Sequence, residues 1–468
     1  MALTTIARGV AVLDDWLVKE IDDVPDFTAF AGVDELLQQA TALAAAYPEA
    51  ARLRRIGTSR NGEPLLCLEI GADGNLPAAL VFGLPHPNEP IGGLTALHLA
   101  ERLCADQGLR ARLGHRWLIV PCIDPDGLRL NEGWLKGPFT RAHYARHFYR
   151  PAGGDQIEWT FPLDYKTAYF DAPLPETQAL MRLIDHNRPR LVCSLHNGEL
   201  GGVYYYLSRE EPALYPILRD IPESLGLPLD RGAPEGPQMV RLADGIFDGS
   251  SIRRSYDSLV ASGQDWPGGS GDNAASYAAR YGGLTLITEL PYWKDCSRAD
   301  DARSAVSHRT CLAENARGLE ELSALMVDTL DAVAGALTVP DSPFWRATRF
   351  FAGSTARTAR SARVLGESTD ADSLATVAEV SARLGETRSY RLRYGGMLLR
   401  ALEGELAVGN TREAVRRARD TVAARHQAWM TEDAAHDAHE VVEIRLQVAT
   451  QYGATIATAE ELANRARH

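Results

Sequence analysis

Four side chains of the kinds that bind metal ions and move protons lie at the ends of apolar, strand-like runs. His86 and Glu89 follow residues 78–83, His196 follows residues 191–195, and Glu289 follows residues 284–288. In open α/β sheets, ligands bind beyond the carboxyl ends of the strands, so groups placed there converge on one site. The pattern predicts a metal site with a base beside it.

Two imidazoles and one carboxylate around a cation leave a fourth position for water, which is the arrangement of catalytic zinc sites. Taken singly, His86 has an ordinary interpretation as a hydrogen-bonded loop histidine, and His-x-x-Glu occurs by chance in many chains. Glu289 is harder to explain in this way, because its apolar flanks would bury a lone carboxylate at considerable cost. A second His-x-x-Glu ends at Glu199, which we interpret as a supporting or an unrelated residue.

The elements that must position these groups alternate between strand-like and helix-like runs. We expect an α/β fold, with a mixed, mostly parallel twisted sheet flanked by helices and an all-helical C-terminal segment. The predicted strands are 54–56, 65–70, 79–83, 117–120, 191–195, 203–207 and 284–288. The predicted helices of this part are 34–47, 94–103, 176–186, 210–225, 273–281 and 303–337. Residues 131–175 and 230–271 show little periodicity and are expected to form loops, the former as walls of a pocket.

A chain of 468 residues is too long for one ordinary core, and its character changes at the break 338–343. We predict a catalytic domain at 1–337, with an N-terminal helical extension, and a helical domain of three to five helices at 345–468. The second segment is rich in Ala, Arg and Glu and has almost no strand signal. It could mediate homo-oligomerisation, cap the active site or bind another chain.

Charge and composition exclude several classes of partner. The formal net charge is -13, which disfavours binding to nucleic acid or to anionic lipid. Residues 1–20 lack a basic region followed by an apolar core, and no long apolar run predicts a membrane span. The six cysteines form no Cys-x-x-Cys pair and are expected to be reduced. We therefore expect a cytoplasmic protein with no membrane and no nucleic-acid partner.

In these motifs the sequence resembles the M14 zinc carboxypeptidases and their amidase relatives. The matching stretches occur in the family's order and approximate spacing over about residues 45–325: Tyr47-Pro, Ile56-Gly-Thr-Ser-Arg-Asn-Gly, Gly83-Leu-Pro-His-Pro-Asn-Glu-Pro-Ile-Gly, Ile123-Asp-Pro-Asp-Gly, Ser194-Leu-His, Gly268-Gly-Ser-Gly-Asp and Leu286-Ile-Thr-Glu-Leu. The segment after residue 345 is not covered.

The resemblance implies one Zn²⁺ per chain, held by His86, Glu89 and His196, with Glu289 as the general base. It also implies that Arg150 takes the place of the arginine that grips the terminal carboxylate of the substrate, while Tyr149 replaces the family's asparagine.

Three family positions match less well. For the arginine that steadies the oxyanion, Arg141 and Lys136 are both candidates. The family's mobile tyrosine is missing, and Gln264 and Trp266 occupy that region. Gly271, at the position where the family sets its side-chain preference, has no side chain.

These residues predict a zinc-dependent hydrolase of amide bonds, in the first place a carboxypeptidase that releases a C-terminal amino acid from a peptide or a small peptide-like substrate. One alternative is a deacylase of N-acyl amino acids, similar to aspartoacylase or succinylglutamate desuccinylase, although those relatives lack the Gly-Gly-Ser-x-Asp approach to the base. Another is a metal-free binding module, which would have no need for a buried Glu289.

Overall fold

The computed structural model describes residues 13–71, 75–232, 240–249, 252–261, 263–436 and 439–467. A ten-stranded mixed sheet forms the centre of the molecule, and two short strand pairs lie outside it. The strands are β1 (Ala51–Thr58), β2 (Pro64–Ile70), β3 (Ala78–Gly83), β4 (Arg116–Val120), β5 (Leu163–Tyr165), β6 (Ala168–Phe170), β7 (Leu191–Gly201), β8 (Tyr204–Leu207), β9 (Arg241–Ala243), β10 (Ile246–Asp248), β11 (Leu284–Lys294), β12 (Arg303–Ser307), β13 (Leu374–Thr376) and β14 (Glu440–Val441).

Helices surround this sheet and make up most of the chain after residue 308. They are α1 (Asp15–Asp22), α2 (Val33–Ala46), α3 (Ile91–Ala105), α4 (Gln107–Leu113), α5 (Pro125–Arg129), α6 (Arg141–His147), α7 (Pro175–Asn187), α8 (Leu214–Ser224), α9 (Ile252–Ala261), α10 (Ala274–Ala279), α11 (His308–Val333), α12 (Pro343–Gly366), α13 (Val377–Ala407), α14 (Glu413–Ala435) and α15 (Ile444–Arg467). None of the helices in the described ranges is long and apolar enough to cross a membrane.

The main sheet has the order β1-β2-β4-β3-β7-β11-β8-β10-β9, and β14 pairs with β11. Its centre, β4-β3-β7-β11, is parallel, whereas β1, β2, β8 and β14 join by antiparallel pairs. Every residue of β3 is buried, as expected for a parallel strand covered on both faces. The predicted mixed sheet flanked by helices is confirmed.

Several predicted boundaries are wrong in an informative way. β7 and β11 do not stop before His196 and Glu289 but continue to Gly201 and Lys294. The helix predicted from residue 303 begins at His308, because the Ser307 hydroxyl caps it by accepting a hydrogen bond from the Thr310 amide. The loop predicted at 230–271 contains β9, β10 and α9.

The C-terminal segment is helical, as predicted, and packs closely on the sheet. α15 contacts α3, α8 and β11, while α13 contacts α6. Buried side chains from both parts, among them Leu99, Leu290, Leu398 and Tyr452, belong to one hydrophobic cluster. The division of the chain into domains at 1–337 and 345–468 stays a prediction, and the packing shows that the helices cover the sheet.

Candidate metal centre and active site

His86 and Glu89 lie in the turn that connects β3 to α3. The Glu89 amide donates to the His86 carbonyl at 3.1 Å, which closes the turn and directs both side chains to the same side. The start of α3 packs directly on the end of β3, since a Cβ atom on Gly83 would lie 2.5 Å from the Gly92 carbonyl carbon. Glycine is therefore required at residue 83 for the turn to sit at the sheet edge.

His196 and Glu289 are brought together by the pairing of β7 with β11. The two residues are register partners in this parallel pair. Beyond them the register shifts by one residue, as in a β-bulge on β7, and the pairing resumes at Pro291 and Glu199. The residues lie inside long strands rather than after short ones, but they converge with the β3 turn as predicted.

The side chains of His86, Glu89 and His196 form a buried cluster whose possible ligand atoms all lie within 4.8 Å of one another. His196 Nδ1 is 3.0 Å from Glu89 Oε2 and 3.8 Å from Glu289 Oε1. Tetrahedral ligands at about 2.0–2.2 Å from zinc are spaced by a little over 3 Å, so these groups need only small movements to share one cation.

The donor atoms of this cluster fit a zinc ion. His86 Nδ1 is buried and has no hydrogen-bond partner among the described residues. His196 Nε2 lies 2.8 Å from the Ser194 hydroxyl, which can hold the tautomer that leaves Nδ1 free to bind a metal. Burial, together with the charges of Arg150 and His196, holds the pKa of His86 well below its usual value. His86 is therefore neutral, as a ligand must be.

His196 shows the opposite electrostatic effect. Burial alone would lower its pKa, but the hydrogen bond and charge of Glu89, with the charges of Glu289 and Glu158, raise the pKa of His196 to about 9. Without a cation, the carboxylates keep this imidazole protonated at neutral pH. An ion that binds here must displace that proton, and three carboxylates then face its positive charge.

A buried polar network supports the metal-binding turn from behind. Asn88 donates to Glu199 Oε1 at 3.2 Å, and its carbonyl accepts from the Tyr292 hydroxyl at 2.8 Å. Glu199 also accepts from the Tyr144 hydroxyl and forms an ion pair with Arg393 of α13 at 2.5 Å. The supporting role considered for Glu199 agrees with these contacts, which tie the turn between His86 and Glu89 to the C-terminal helices.

A cavity of about 500 Å³ opens onto the cluster. One part of its wall comes from the sheet and the loops around it, including Tyr204, Phe247 and Ile287. The other part comes from α12 and α13: Phe350, Phe351, Ser354, Ala382, Arg383, Gly385, Glu386, Ser389, Tyr390, Arg393 and Tyr394. The C-terminal helices thus form part of the wall of the cavity beside the candidate metal cluster, which agrees with the capping role considered for them.

Arg150 lies in the cavity wall, as its predicted role requires. Its Nη1 donates to Glu89 Oε1 at 2.9 Å, and its Nε donates to Gln156 Oε1 at 3.3 Å. The guanidinium therefore places a permanent positive charge beside the metal cluster. Tyr149, in contrast, packs edge-on against Phe344 and does not line the cavity.

Arg141 is a correction to the sequence analysis. Its guanidinium donates to both oxygens of Asp433 at 2.7 and 2.8 Å, and it is absent from the cavity wall. Lys136 is engaged by Glu35 and by the Phe30 carbonyl, also outside the cavity. Neither side chain lines the cavity, because carboxylates of α14 and α2 hold them elsewhere.

Glu158 is a cavity residue that sequence reasoning missed. It is buried and lies in a short 3-10 turn, Ile157–Trp159. Burial, with smaller contributions from Glu89 and Asp272, raises the pKa of Glu158 to about 7, against the lowering effects of His196 and the Ala274 amide. The only signal in the sequence was a carboxylate between Ile157 and Trp159, in a stretch without periodicity.

The region of the family's mobile tyrosine is also occupied differently. Gln264 donates to the Ser361 hydroxyl of α12 at 3.1 Å, and Trp266 packs against Tyr256 at 5.7 Å between ring centroids. Tyr390 and Tyr394 of α13 bring other phenol rings into the cavity wall. Their positions depend on helix packing, so no local pattern in the sequence indicated them.

Comparison with known proteins agrees with this site. Residues 36–227 match the family model of the M14 peptidases, described as zinc carboxypeptidase. That range contains His86, Glu89, Arg150 and His196, whereas Glu289 lies after it.

Solved structures that resemble the chain include carboxypeptidase A from Helicoverpa armigera, at 18% identity over 60% of this chain and 70% of that one, with a TM-score of 0.38. A metallo-carboxypeptidase from Burkholderia cenocepacia matches at 14% identity over 72% of this chain and 69% of that one, with a TM-score of 0.38. Bovine thrombin-activatable fibrinolysis inhibitor matches at 14% identity over 57% and 86%, also with a TM-score of 0.38.

Proposed function

We propose that this chain, a zinc peptidase whose residues 36–227 belong to the M14 zinc carboxypeptidase family, releases the C-terminal amino acid from a peptide or a small peptide-like substrate. The observation that carries the proposal is the convergence of His86, Glu89 and His196 with Glu289 at one end of a buried cavity. The family is zinc-dependent and acts on peptides, and the proposal assigns this chain's residues to that chemistry.

His86, Glu89 and His196 would hold the zinc ion, one per chain. When bound, zinc acts as a Lewis acid that polarises the scissile carbonyl and lowers the pKa of water to about 7. Glu199 and Asn88 would keep the turn rigid, because their hydrogen bonds fix the backbone between His86 and Glu89. Rigid ligands keep the fourth position open for the reaction.

Glu289 would serve as general base and then as general acid. Its carboxylate lies 3.8 Å from His196 Nδ1, at the edge of the cluster rather than inside it. From there it can take a proton from water that attacks the carbonyl carbon, and return that proton to the nitrogen of the leaving amine. The C–N bond breaks, and the products are a carboxylate and an amine.

Arg150 would orient the substrate by its terminal carboxylate. A guanidinium matches a carboxylate through two parallel hydrogen bonds, and burial in the cavity wall strengthens such a pair. Because Arg150 already contacts Glu89, the same group couples substrate position to the metal cluster.

The test is a screen of C-terminally free peptides and N-acyl amino acids with the zinc-loaded protein and its Glu289→Gln variant. Release of free amino acids from peptides, lost in Glu289→Gln, is the expected result. Cleavage of N-acyl amino acids alone would instead indicate a deacylase. No turnover with a full complement of zinc would contradict the proposed function.

A further inference from the structure

Glu158 is a cavity carboxylate that the proposed mechanism does not use. Its side chain is buried, with 3% of the residue exposed, and it lines the same cavity as His86 and His196. One oxygen, Oε1, accepts a hydrogen bond from the Ala274 amide at 3.2 Å. The other, Oε2, has no hydrogen-bond partner in the described part of the chain.

The other carboxylates of the cavity wall differ from Glu158 because each has a cationic or imidazole partner. The pairs are Glu89–Arg150 at 2.9 Å, Glu199–Arg393 at 2.5 Å, Asp230–Arg298 at 2.8 Å, Glu289–His196 at 3.8 Å and Glu386–Arg383 at 3.9 Å. Among the residues that the structure describes, Glu158 forms no ion pair within 4.0 Å, and the charge of His196 acts on it only from a greater distance. A buried carboxylate without a cation is costly, unless a ligand supplies the cation.

The place of Glu158 in the fold connects it to the substrate. Phe161 forms a β-bridge with Asp272, and a Cβ atom on Gly271 would lie only 2.0 Å from the Phe161 carbonyl oxygen. The backbone that follows Glu158 therefore fills the space that a side chain at residue 271 would need. Glu158 and Trp159, from the same turn, line the cavity beside this loop.

We propose that Glu158 binds a cationic group of the substrate, the ammonium or guanidinium of the side chain on the released amino acid. The proposal rests on the proposed function and deepens it by naming a preference for basic C-terminal residues. The ligand cation would meet Glu158 Oε2 in a charge-assisted hydrogen bond. Apolar wall residues such as Trp159 and Ile252 suit the aliphatic stem of a lysine or arginine side chain.

A substrate can supply an ammonium from its side chain or from the free amino end of a very short peptide. The apolar wall formed by Trp159 and Ile252 beside Glu158 favours the side chain, because a lysine or arginine side chain has an aliphatic stem to place there and a free amino end does not. The experiment below distinguishes this from binding of the free amino end by Glu158.

The experiment compares kcat/KM of the zinc-loaded protein on two N-acyl dipeptides that differ only in a C-terminal lysine or norleucine. We expect the lysine substrate to be preferred at least about tenfold, the usual effect of a hydrogen bond to a charged group. Glu158→Gln should reduce the ratio to near one by slowing the lysine substrate, because glutamine keeps the size and the Ala274 contact but not the charge.

Glu386→Gln is the matched control, since it removes a carboxylate from the same wall that already has an arginine partner. It should leave the lysine-to-norleucine ratio unchanged. Equal slowing of both substrates by Glu158→Gln would show a purely structural role and overturn the proposal. Loss of bound zinc in Glu158→Gln would also overturn it, because it would identify Glu158 as a metal ligand.

Calorimetric titration with free L-lysine and L-norleucine tests the same preference without turnover. Stronger binding of L-lysine, lost in Glu158→Gln, is expected, and equal binding of both amino acids by the unaltered protein would overturn the proposal. If no peptide is hydrolysed, the proposed function fails while this titration still decides the role of Glu158. A Glu158→Gln effect confined to dipeptides with a free rather than acetylated amino end would overturn the assignment to the side chain.

Discussion

The metal cluster and the helical wall of α12 and α13 form parts of the same cavity, but the chain builds them in different ways. His86, Glu89, His196 and Glu289 are positioned by neighbouring parallel strands, whose pairing brings them together by register. The wall residues come from helices more than 50 residues further along the chain and reach the cavity only through helix packing. The strands thus position the candidate metal ligands and Glu289, and the helices form another part of the wall of the same cavity.

Contacts from α13 and α15 join the strand ends to the C-terminal helices. Arg393 of α13 pairs with Glu199, behind the metal-binding turn. Gln451 of α15 donates to the His196 carbonyl at 2.8 Å and to the Thr288 carbonyl at 3.4 Å, just before the register shift between β7 and β11. The C-terminal helices therefore supply hydrogen-bond donors to backbone carbonyls at the ends of β7 and β11.

The largest expected effect is the loss of kcat in Glu289→Gln, with zinc content and stability unchanged. Glu289→Gln should lower kcat by about 10²–10⁴, the usual contribution of a general base. Zinc content and melting temperature should match those of the unaltered protein, because Glu289 is outside the cluster of ligands. Retained activity in a fully zinc-loaded variant would show that another group is the base.

The next effect tests the link between the two parts. Arg393→Met leaves Glu199 buried without its cation, and breaking a buried pair in this way costs about 3–5 kcal/mol of stability. Denaturant unfolding measures this loss, with Arg417→Met, a change in an exposed pair with Glu413, as the control that leaves stability unchanged. Equal stability of both variants would mean that α13 is not held to the metal turn through this contact.

A smaller, selective effect is expected at Arg150. Arg150→Ala should lower kcat/KM about 10–100-fold on peptides with a free terminal carboxylate, as expected for loss of a charge-assisted pair. Peptides with an amidated C-terminus should be affected much less. Arg54→Ala is the control, because its guanidinium belongs to an exposed pair with Glu69 outside the cavity. An equal effect on free and amidated peptides would remove Arg150 from carboxylate recognition.

The pH dependence of zinc binding tests the electrostatics of the cluster. The pKa of His196 in the metal-free protein is raised to about 9, so below that pH zinc must displace its proton. The apparent affinity should therefore rise about tenfold per pH unit from pH 6 to 8. Competition with a chelator of known affinity measures this, and an affinity independent of pH would show that His196 is already neutral.

The smallest expected effect concerns Gln451. Gln451→Leu would leave the His196 and Thr288 carbonyls without their donor, at a total cost of about 1–3 kcal/mol of stability, because the 3.4 Å bond to Thr288 is weak. Denaturant unfolding would detect the change, and Gln427→Leu on the polar face of α14 serves as the control. No difference between the two would show that other donors satisfy these carbonyls.

Sequence periodicity predicted most of the strands of the sheet, because a buried parallel strand is a short apolar run in the sequence. It also indicated the four residues at the sheet edge, because they follow such runs. It placed the ends of β7 and β11 too early, since polar residues such as His196 and Glu289 interrupt the apolar run but not the strand. It also suggested Arg141 as a substrate residue, because local sequence does not show that Asp433, 292 residues away, binds it.

The sequence by itself indicated the four candidate site residues at the sheet edge, because ligand types, turn glycines and strand patterns are local features of the chain. Only the tertiary structure decided which walls surround that chemistry. Glu158, Arg393 and Tyr390 reach the cavity through contacts between segments far apart in the chain, and such contacts follow from packing and charge pairing that no single stretch of sequence encodes.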